Sequence, residues 1–541
     1  MRIPLSTLAV CAAATLFAQP PAWQRPPKLV VGIVIDQMRT DYLYRYWDNL
    51  GPNGFKRMID GGAFLRDAHY NYVPTETGPG HASIYTGTTP SRHGIVANYP
   101  YDRNTRRMGY CAEDTGVAGV GTAAASAKRS PRWLLATTLA DELELRTDRR
   151  ARTVGVALKD RSSIMPIGRT GDAAYWYNSA DGSFVTSTWY MKELPRWLKE
   201  FNAKGLAEQY LAQRWEPLLE RSRYHTDLPD DNPYEIPLKP GIPASLPIAL
   251  DSLRQSGAGL DLLMSTPWGN TLTTDMAIAA IEGEGMGQDD RTDLLAISYS
   301  STDILGHKVG PRAIELEDMY LRLDQEIARL IAYLDRTIGP ELYTVFLTAD
   351  HAVADVPAYL RDLKGSAGYV DVGTWEADLM HNFPALVSGG TLLVDTIVNA
   401  QVYLRAGGGA DKVVASELGT FPGVARACTG RGLLDANAGD ELQRMLRNGY
   451  MPSRCGDVLF VLEPGLMEKE AWNEGHGTSH GTPWNYDTHV PVILYGGGVR
   501  HAEVLRRTSI TDIAPTISAI VGMTAPSACD GEVVPEAVRT P

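Results

Sequence analysis

Three places in this chain put residues that bind divalent cations at the end of an apolar run: Asp36, then Asp303 with His307, then Asp350 with His351. Carboxylate oxygen and imidazole nitrogen together suit zinc. Asp303 and His307 stand four residues apart in an expected loop, a spacing that lets both converge on one ion. Any one of these residues reads equally well as a cap or a turn. All three sets at strand ends do not. A further imidazole comes from Gly475-His476-Gly477-Thr478-Ser479-His480, where His480 is the favoured ligand and His476 and His489 are rivals.

Ligands of this kind serve a nucleophile, and Pro74-Thr75-Glu76-Thr77-Gly78-Pro79-Gly80-His81 offers one. Thr77 lies in a Gly/Pro-rich turn just ahead of the helix-like run Ala82 to Thr86. Unpaired N–H groups and the positive dipole end at a helix start favour an anionic substrate there. Two cations follow in Lys159-Asp160-Arg161, and alternation along an extended backbone points Lys159 and Arg161 to one side. Such a pair is either a solvated turn or, facing Thr77, a clamp for a dianionic phosphoryl group. Asn98, closing His93-Gly94-Ile95-Val96-Ala97-Asn98, adds an amide that can donate to an oxyanion.

The elements that must carry these residues are legible as strands and helices. Leu29 to Ile35 is a continuous β-branched run ending at Asp36, the signature of a strand covered on both faces. Similar runs cover Arg152 to Leu158, Asp293 to Tyr299, Leu342 to Thr348, Asp457 to Leu462 and His489 to Tyr495. Helical periodicity marks Gly54 to Gly62, Trp133 to Leu145, Lys204 to Arg223, Ala313 to Ile338 and a capped helix over Thr511 to Gly522. The alternation predicts an α/β fold with a central, mostly parallel sheet flanked by helices, which places ligands at the carboxyl ends of its strands. Two insertions are expected in it, at about 162–268 and 352–474.

With 541 residues, 44% of them apolar, the chain can bury a large core, and its formal charge of −13 argues against nucleic acid as a partner. Arg2, the apolar run Leu5 to Phe17 and small residues to Ala18 fit a signal peptide over residues 1–18, so a periplasmic or secreted protein with no membrane anchor after processing is expected. Cys111, Cys428, Cys455 and Cys529 remain, and a disulfide between Cys428 and Cys455 is the favoured pairing. No Cys-x-x-Cys occurs, which disfavours a cysteine-ligated metal.

Taken together, these ordered motifs resemble the alkaline phosphatase superfamily over nearly the whole chain, and within it the secreted bacterial PafA-type alkaline phosphatases, a branch close to the nucleotide pyrophosphatase/phosphodiesterases. The resemblance implies two zinc ions per chain. It makes Thr77 the nucleophile and a ligand of one ion with Asp36, Asp350 and His351, and gives the other ion Asp303, His307 and His480. Asn98, Lys159 and Arg161 would bind the phosphoryl oxygens, and Thr75 is left as a turn or capping residue. The implied activity is hydrolysis of small phosphate monoesters by a monomer through a phosphothreonine intermediate. Its alternatives are a phosphodiesterase of the same superfamily and, outside enzymes, a secreted metal-containing binding protein. A sulfatase is disfavoured, because Thr77 lies in no Cys-x-Pro-x-Arg-like context.

Overall fold

A computed structural model describes residues 25–539 apart from 227, 240, 383–386, 389–390, 406–408, 436–438, 471–472 and 474. The expected signal peptide, residues 1–18, lies outside the described residues. In chain order the principal strands are β1 (Leu29–Ile35), β2 (Ala63–His69), β3 (Thr153–Ala157), β4 (Ala173–Asn178), β5 (Ser183–Ser187), β6 (Asp293–Tyr299), β7 (Tyr343–Thr348), β8 (His489–Gly496) and β9 (Ala502–Val504). Four helices matter for the site: α1 (Thr77–Thr86), α2 (Asp160–Ile167), α3 (Ser301–Val309) and α4 (Ile314–Thr337).

Among the described residues the main sheet has eleven strands, ordered β9-β2-β8-β7-β1-β6-β3-β4-β5 and then the short strand Gly119–Val120, with Thr508–Ser509 pairing β2 off this path. From β7 through β1, β6 and β3 to β4 every pairing is parallel. The all-buried sequences of β1, β6 and β7 explain this block, since strands with helices on both faces need no polar alternation. The protein is therefore an α/β fold of the expected kind. β8 enters antiparallel between β2 and β7, a reversal that its short apolar run did not announce.

Because β7, β1 and β6 are neighbours, their carboxyl ends lie side by side. Ile35 is level with Tyr299, and Val34 with Thr348. Helix α1 crosses above them, and one close contact fixes its height. Gly32, midway along β1, faces the Tyr85 hydroxyl and the Phe346 ring, and a Cβ there would fall on both. Tyr85 and Phe346 meet edge to face with centroids 5.5 Å apart.

Several sequence expectations are corrected. The first insertion begins later than residue 162, because α2 and strands β4 and β5 belong to the core. Ala173–Asn178 falls inside the expected first insertion, yet parallel pairing with β3 makes it part of the sheet. The helix expected over Lys204 to Arg223 is confined to Leu206–Leu211, followed by a short strand at Arg214–Trp215. In the second region, Val394–Val398, Gln401–Leu404, Val424–Thr429 and Val458–Leu462 build a separate four-stranded antiparallel sheet over its own apolar core. The favoured disulfide is absent: Cys111, Cys428, Cys455 and Cys529 are all free thiols. The Cys455 sulfur instead stays within its own turn, accepting from Met451 N at 3.3 Å and donating to Gly449 O at 3.7 Å. No helix of the described residues is long and apolar enough to cross a membrane.

The Gly32 contact gives a first prediction. Gly32→Ala should cost about 2 kcal/mol of stability through overpacking, read as a lower urea midpoint, and should lift α1 away from the sheet edge. An unchanged midpoint would show that α1 is positioned by something else.

Candidate active site

The three strand ends bring their carboxylates together as the parallel block requires. Asp36 follows β1 directly, Asp350 lies two residues past β7, and Asp303 sits in the first turn of α3 just beyond β6. The loop expected around Asp303 and His307 is thus a helix, and the four-residue spacing works because i and i+4 share a helix face. His307 Nε2 lies 3.1 Å from Asp303 Oδ1.

Two compact groups of ligand atoms result: Asp36, Asp350 and His351 in one, Asp303, His351 and His480 in the other. His480 is thereby chosen over its rivals. His476 is exposed, and His489 belongs with His69 and Asp67 on the β2–β8 pair. His351 reaches both groups because its ring stacks on that of His480 with centroids 3.4 Å apart, whereas the resemblance assigned it to one ion only. His307 stands slightly outside the second triad, held through Nδ1 to Thr478 O at 2.7 Å.

The donors fit divalent cations on a structural criterion. Asp36 Oδ1, Asp350 Oδ2 and His351 Nε2 are buried without a hydrogen-bond partner, and all three belong to the first group. Buried polar atoms are otherwise paired, so an unpartnered set of oxygen and imidazole donors suits zinc. Lys159 meanwhile places its ammonium between the groups, 2.6 Å from Asp36 Oδ2 and 2.5 Å from Asp303 Oδ2.

Thr77 is the first residue of α1, so the helix starts at the hydroxyl itself rather than five residues later. Arg161 Nη2 lies 3.4 Å from Thr77 Oγ1. Lys159 and Arg161 do not alternate along a strand, as expected from sequence. Lys159 caps α2 and Arg161 is its second residue, yet both line one cavity of about 380 Å³. Arg161 is braced by Tyr110, whose hydroxyl donates to Asp160, while Arg129 Nε donates to the same carboxylate at 2.6 Å. Its Nε is buried and unpartnered. Asn98 Oδ1 accepts from Gly78 N at 2.7 Å, which fixes the amide beside Thr77.

Burial raises the Asp36 carboxyl above its usual range, and the charges of Asp303 and Asp350 add to this against the pull of Lys159. For Asp303 burial acts the same way, but His307, Lys159 and His480 outweigh it and hold the carboxyl well below that range. His351 is raised to about 9, since Asp350 and Asp36 overcome the effect of burial. Its stacked neighbour His480 is driven well below its ordinary value by burial and by the charges of His351 and His307.

A model of the "Type I phosphodiesterase / nucleotide pyrophosphatase" family matches residues 30–484. The chain belongs to this family. Within it, the chain is 38% identical over 526 residues to alkaline phosphatase PafA of Elizabethkingia meningoseptica, covering 95% of this chain and 94% of that one. A crystal structure of wild-type alkaline phosphatase PafA superimposes with a TM-score of 0.90 at 37% identity, over 95% of this chain and 99% of that one. A protein of Myroides odoratus named a calcium-transporting ATPase is 40% identical over 525 residues, 95% of each chain. These matches place the chain with the PafA-type alkaline phosphatases of the superfamily.

Three site residues escaped sequence reasoning. Gln37 has φ of 68°, and from that left-handed backbone it donates Nε2 to Asp303 Oδ1 at 2.7 Å and N to Asp350 Oδ1 at 3.2 Å. Glu76 accepts from Asn98 N at 2.6 Å and so positions the amide loop. His81 sits 3.3 Å from Asp350 Oδ2. His81 was visible in the Thr77 motif; a glutamine at positive φ has no sequence signal.

The His351 shift predicts a linkage. Its folded value of about 9 lies above the ordinary 6.5, so in metal-free protein the protonated ring stabilises fully below about pH 6.5, and that stability is lost as pH rises through 9. Zinc requires the neutral ring. Zinc addition near pH 7.5 should therefore release protons, measured by calorimetry in two buffers of different ionisation enthalpy. The release should vanish above about pH 10; none at pH 7.5 would contradict the assignment.

Proposed function

We propose that this protein is a two-zinc alkaline phosphatase that hydrolyses small phosphate monoesters through a phosphothreonine intermediate on Thr77. The observation that carries the reading is the convergence of Thr77, Arg161 and the two ligand groups on the carboxyl ends of β1, β6 and β7. The PafA relatives support it, being named alkaline phosphatases.

Asp36, Asp350, His351 and Thr77 would hold one ion, and Asp303, His307 and His480 the other. Bound there, the ions supply Lewis acidity that lowers the pKa of the Thr77 hydroxyl and stabilises charge on the leaving oxygen. The chain's own residues do the rest. Thr77 Oγ1 forms the new P–O bond from the N-terminus of α1, whose N–H groups and dipole favour the transferring anion. The bond to the substrate's alcohol oxygen breaks, and the alcohol leaves. Water then cleaves the phosphothreonine, which returns the Thr77 hydroxyl and releases orthophosphate.

Lys159 and Arg161 set the substrate class. Two cations suit a monoester, whose phosphoryl group carries two anionic oxygens, and the unpartnered Arg161 Nε is a donor left for one of them. With Asp36 and Asp303 committed to metal, the Lys159 ammonium is free to turn to the other. Asn98 adds its amide N–H. A phosphodiesterase reading rests on the name of the family model; it leaves this doubly cationic wall without a purpose. The N-terminal segment supports a periplasmic or secreted location, and a monomer remains the expected state.

Two outcomes test this. On a monoester and a diester of one chromogenic alcohol, wild type should prefer the monoester, and Lys159→Ala with Arg161→Ala should cut its kcat/KM by about 10²–10³-fold while sparing the diester. Preference for the diester, with no loss on the monoester in the double variant, would overturn the reading. Chelation should abolish activity and zinc should restore it; full activity in metal-free protein would remove the two-zinc proposal.

A further inference from the structure

Gln37 touches both ligand groups at once, through different parts of itself. Its backbone N–H donates to Asp350 Oδ1 at 3.2 Å, and its side-chain Nε2 donates to Asp303 Oδ1 at 2.7 Å. The residue is 2% exposed, and its φ of 68° puts it in the left-handed region, which is unfavourable for a residue with a Cβ. Helix α3 makes room for it. A Cβ at Gly306, one residue before His307, would fall on the Gln37 side-chain oxygen, so the amide lies where any other residue at 306 would exclude it. Glycine inside a helix is itself unfavourable relative to alanine. Two locally unfavourable choices thus serve one side-chain contact.

What that contact does follows from how the two Asp303 oxygens are used. Oδ2 lies 2.5 Å from Lys159 Nζ. Oδ1 faces His307 Nε2 at 3.1 Å and His480 Nε2 at 3.7 Å, so it is the oxygen directed at the second ion's place. In the proposed reaction the Lys159 ammonium turns away to a phosphoryl oxygen, whereas Gln37 is neutral and buried and stays. Without its donor, rotation of the carboxylate would carry Oδ1 away from the two imidazoles. Hydrogen-bonded partners of a metal ligand fix its orientation and set affinity in this way. We infer, on the two-zinc reading above, that Gln37 is a positioning residue for the second ion, aiming Asp303 Oδ1 at the place shared with His307 and His480.

The first ion supplies an internal control. A side-chain substitution at position 37 removes the donor to Asp303 but keeps the backbone N–H that Asp350 accepts. The group of Asp36, Asp350 and His351 therefore retains its contact, and only the second ion's affinity should respond.

The test counts zinc bound to the full chain by inductively coupled plasma mass spectrometry after dialysis against chelator-buffered free zinc. Wild type should hold two ions. In Gln37→Met, which keeps the length of the side chain without its donor, one place should need about 10–100-fold more free zinc, and the other should fill as in wild type. His480→Ala identifies the affected place: it should remove that step, and adding Gln37→Met should leave the remaining step unmoved. Gly306→Ala, by displacing the amide, should shift the same step as Gln37→Met. If the methionine variant fails to fold, Gln37→Gly decides, since glycine suits the positive φ and also lacks the donor. Two unshifted steps in a folded variant without the donor overturn the inference, and so does an equal shift of both. Wild type that never holds a second zinc overturns the two-zinc reading and this inference together, so the two failures are told apart.

Discussion

Negative charge held out of water is the constraint on which this structure depends. Asp36, Asp303 and Asp350 are all buried at the carboxyl ends of three adjacent parallel strands. Carboxylates so close in a low-dielectric place repel one another strongly, and burial penalises each charge separately. The fold answers with positive charge from every side. Lys159 bridges Asp36 and Asp303, His307 faces Asp303, and His351 lies near Asp36 and Asp350. Even so, Asp36 Oδ1 and Asp350 Oδ2 accept no hydrogen bond. Those atoms, with His351 Nε2, form a donor set that suits a divalent cation.

The scaffold must hold this charge without letting it relax by moving apart. Parallel pairing on both sides of β1 sets the heights of the strand ends, and Gly32 lets α1 settle directly on the sheet. Gly80 permits a second close approach, since a Cβ there would strike the backbone of Asp350. Thr77 is thereby placed at a helix start directly over the ligands. Glu76, the residue before it, anchors the Asn98 loop, so Thr77 and the Asn98 amide are positioned by adjacent residues.

Outside this centre the chain braces its connections with backbone hydrogen bonds. The loop at 230–236 touches the segments of both His307 and His480 through backbone hydrogen bonds. The separate antiparallel sheet built from residues 394–462 packs on its own apolar cluster.

Much of the local chemistry was legible in the sequence. The continuous apolar runs became the buried parallel strands, because a strand covered on both faces needs no polar residues, and the candidate ligands stand just past their ends. Thr77, Asn98, Lys159, Arg161 and the candidate metal ligands were all visible as residue types near strand ends and helix starts. Long-range partners were not. Choosing His480 over His476 and His489, sharing His351 between two ligand groups, leaving Cys428 and Cys455 as thiols and drawing Ala173–Asn178 into the sheet all depend on distances between segments far apart in the chain. Gln37 makes the division plain. Its side chain joins two carboxylates only because β1 turns sharply after Asp36 at a positive φ, a conformation that tertiary packing imposes and that no property of glutamine foretells.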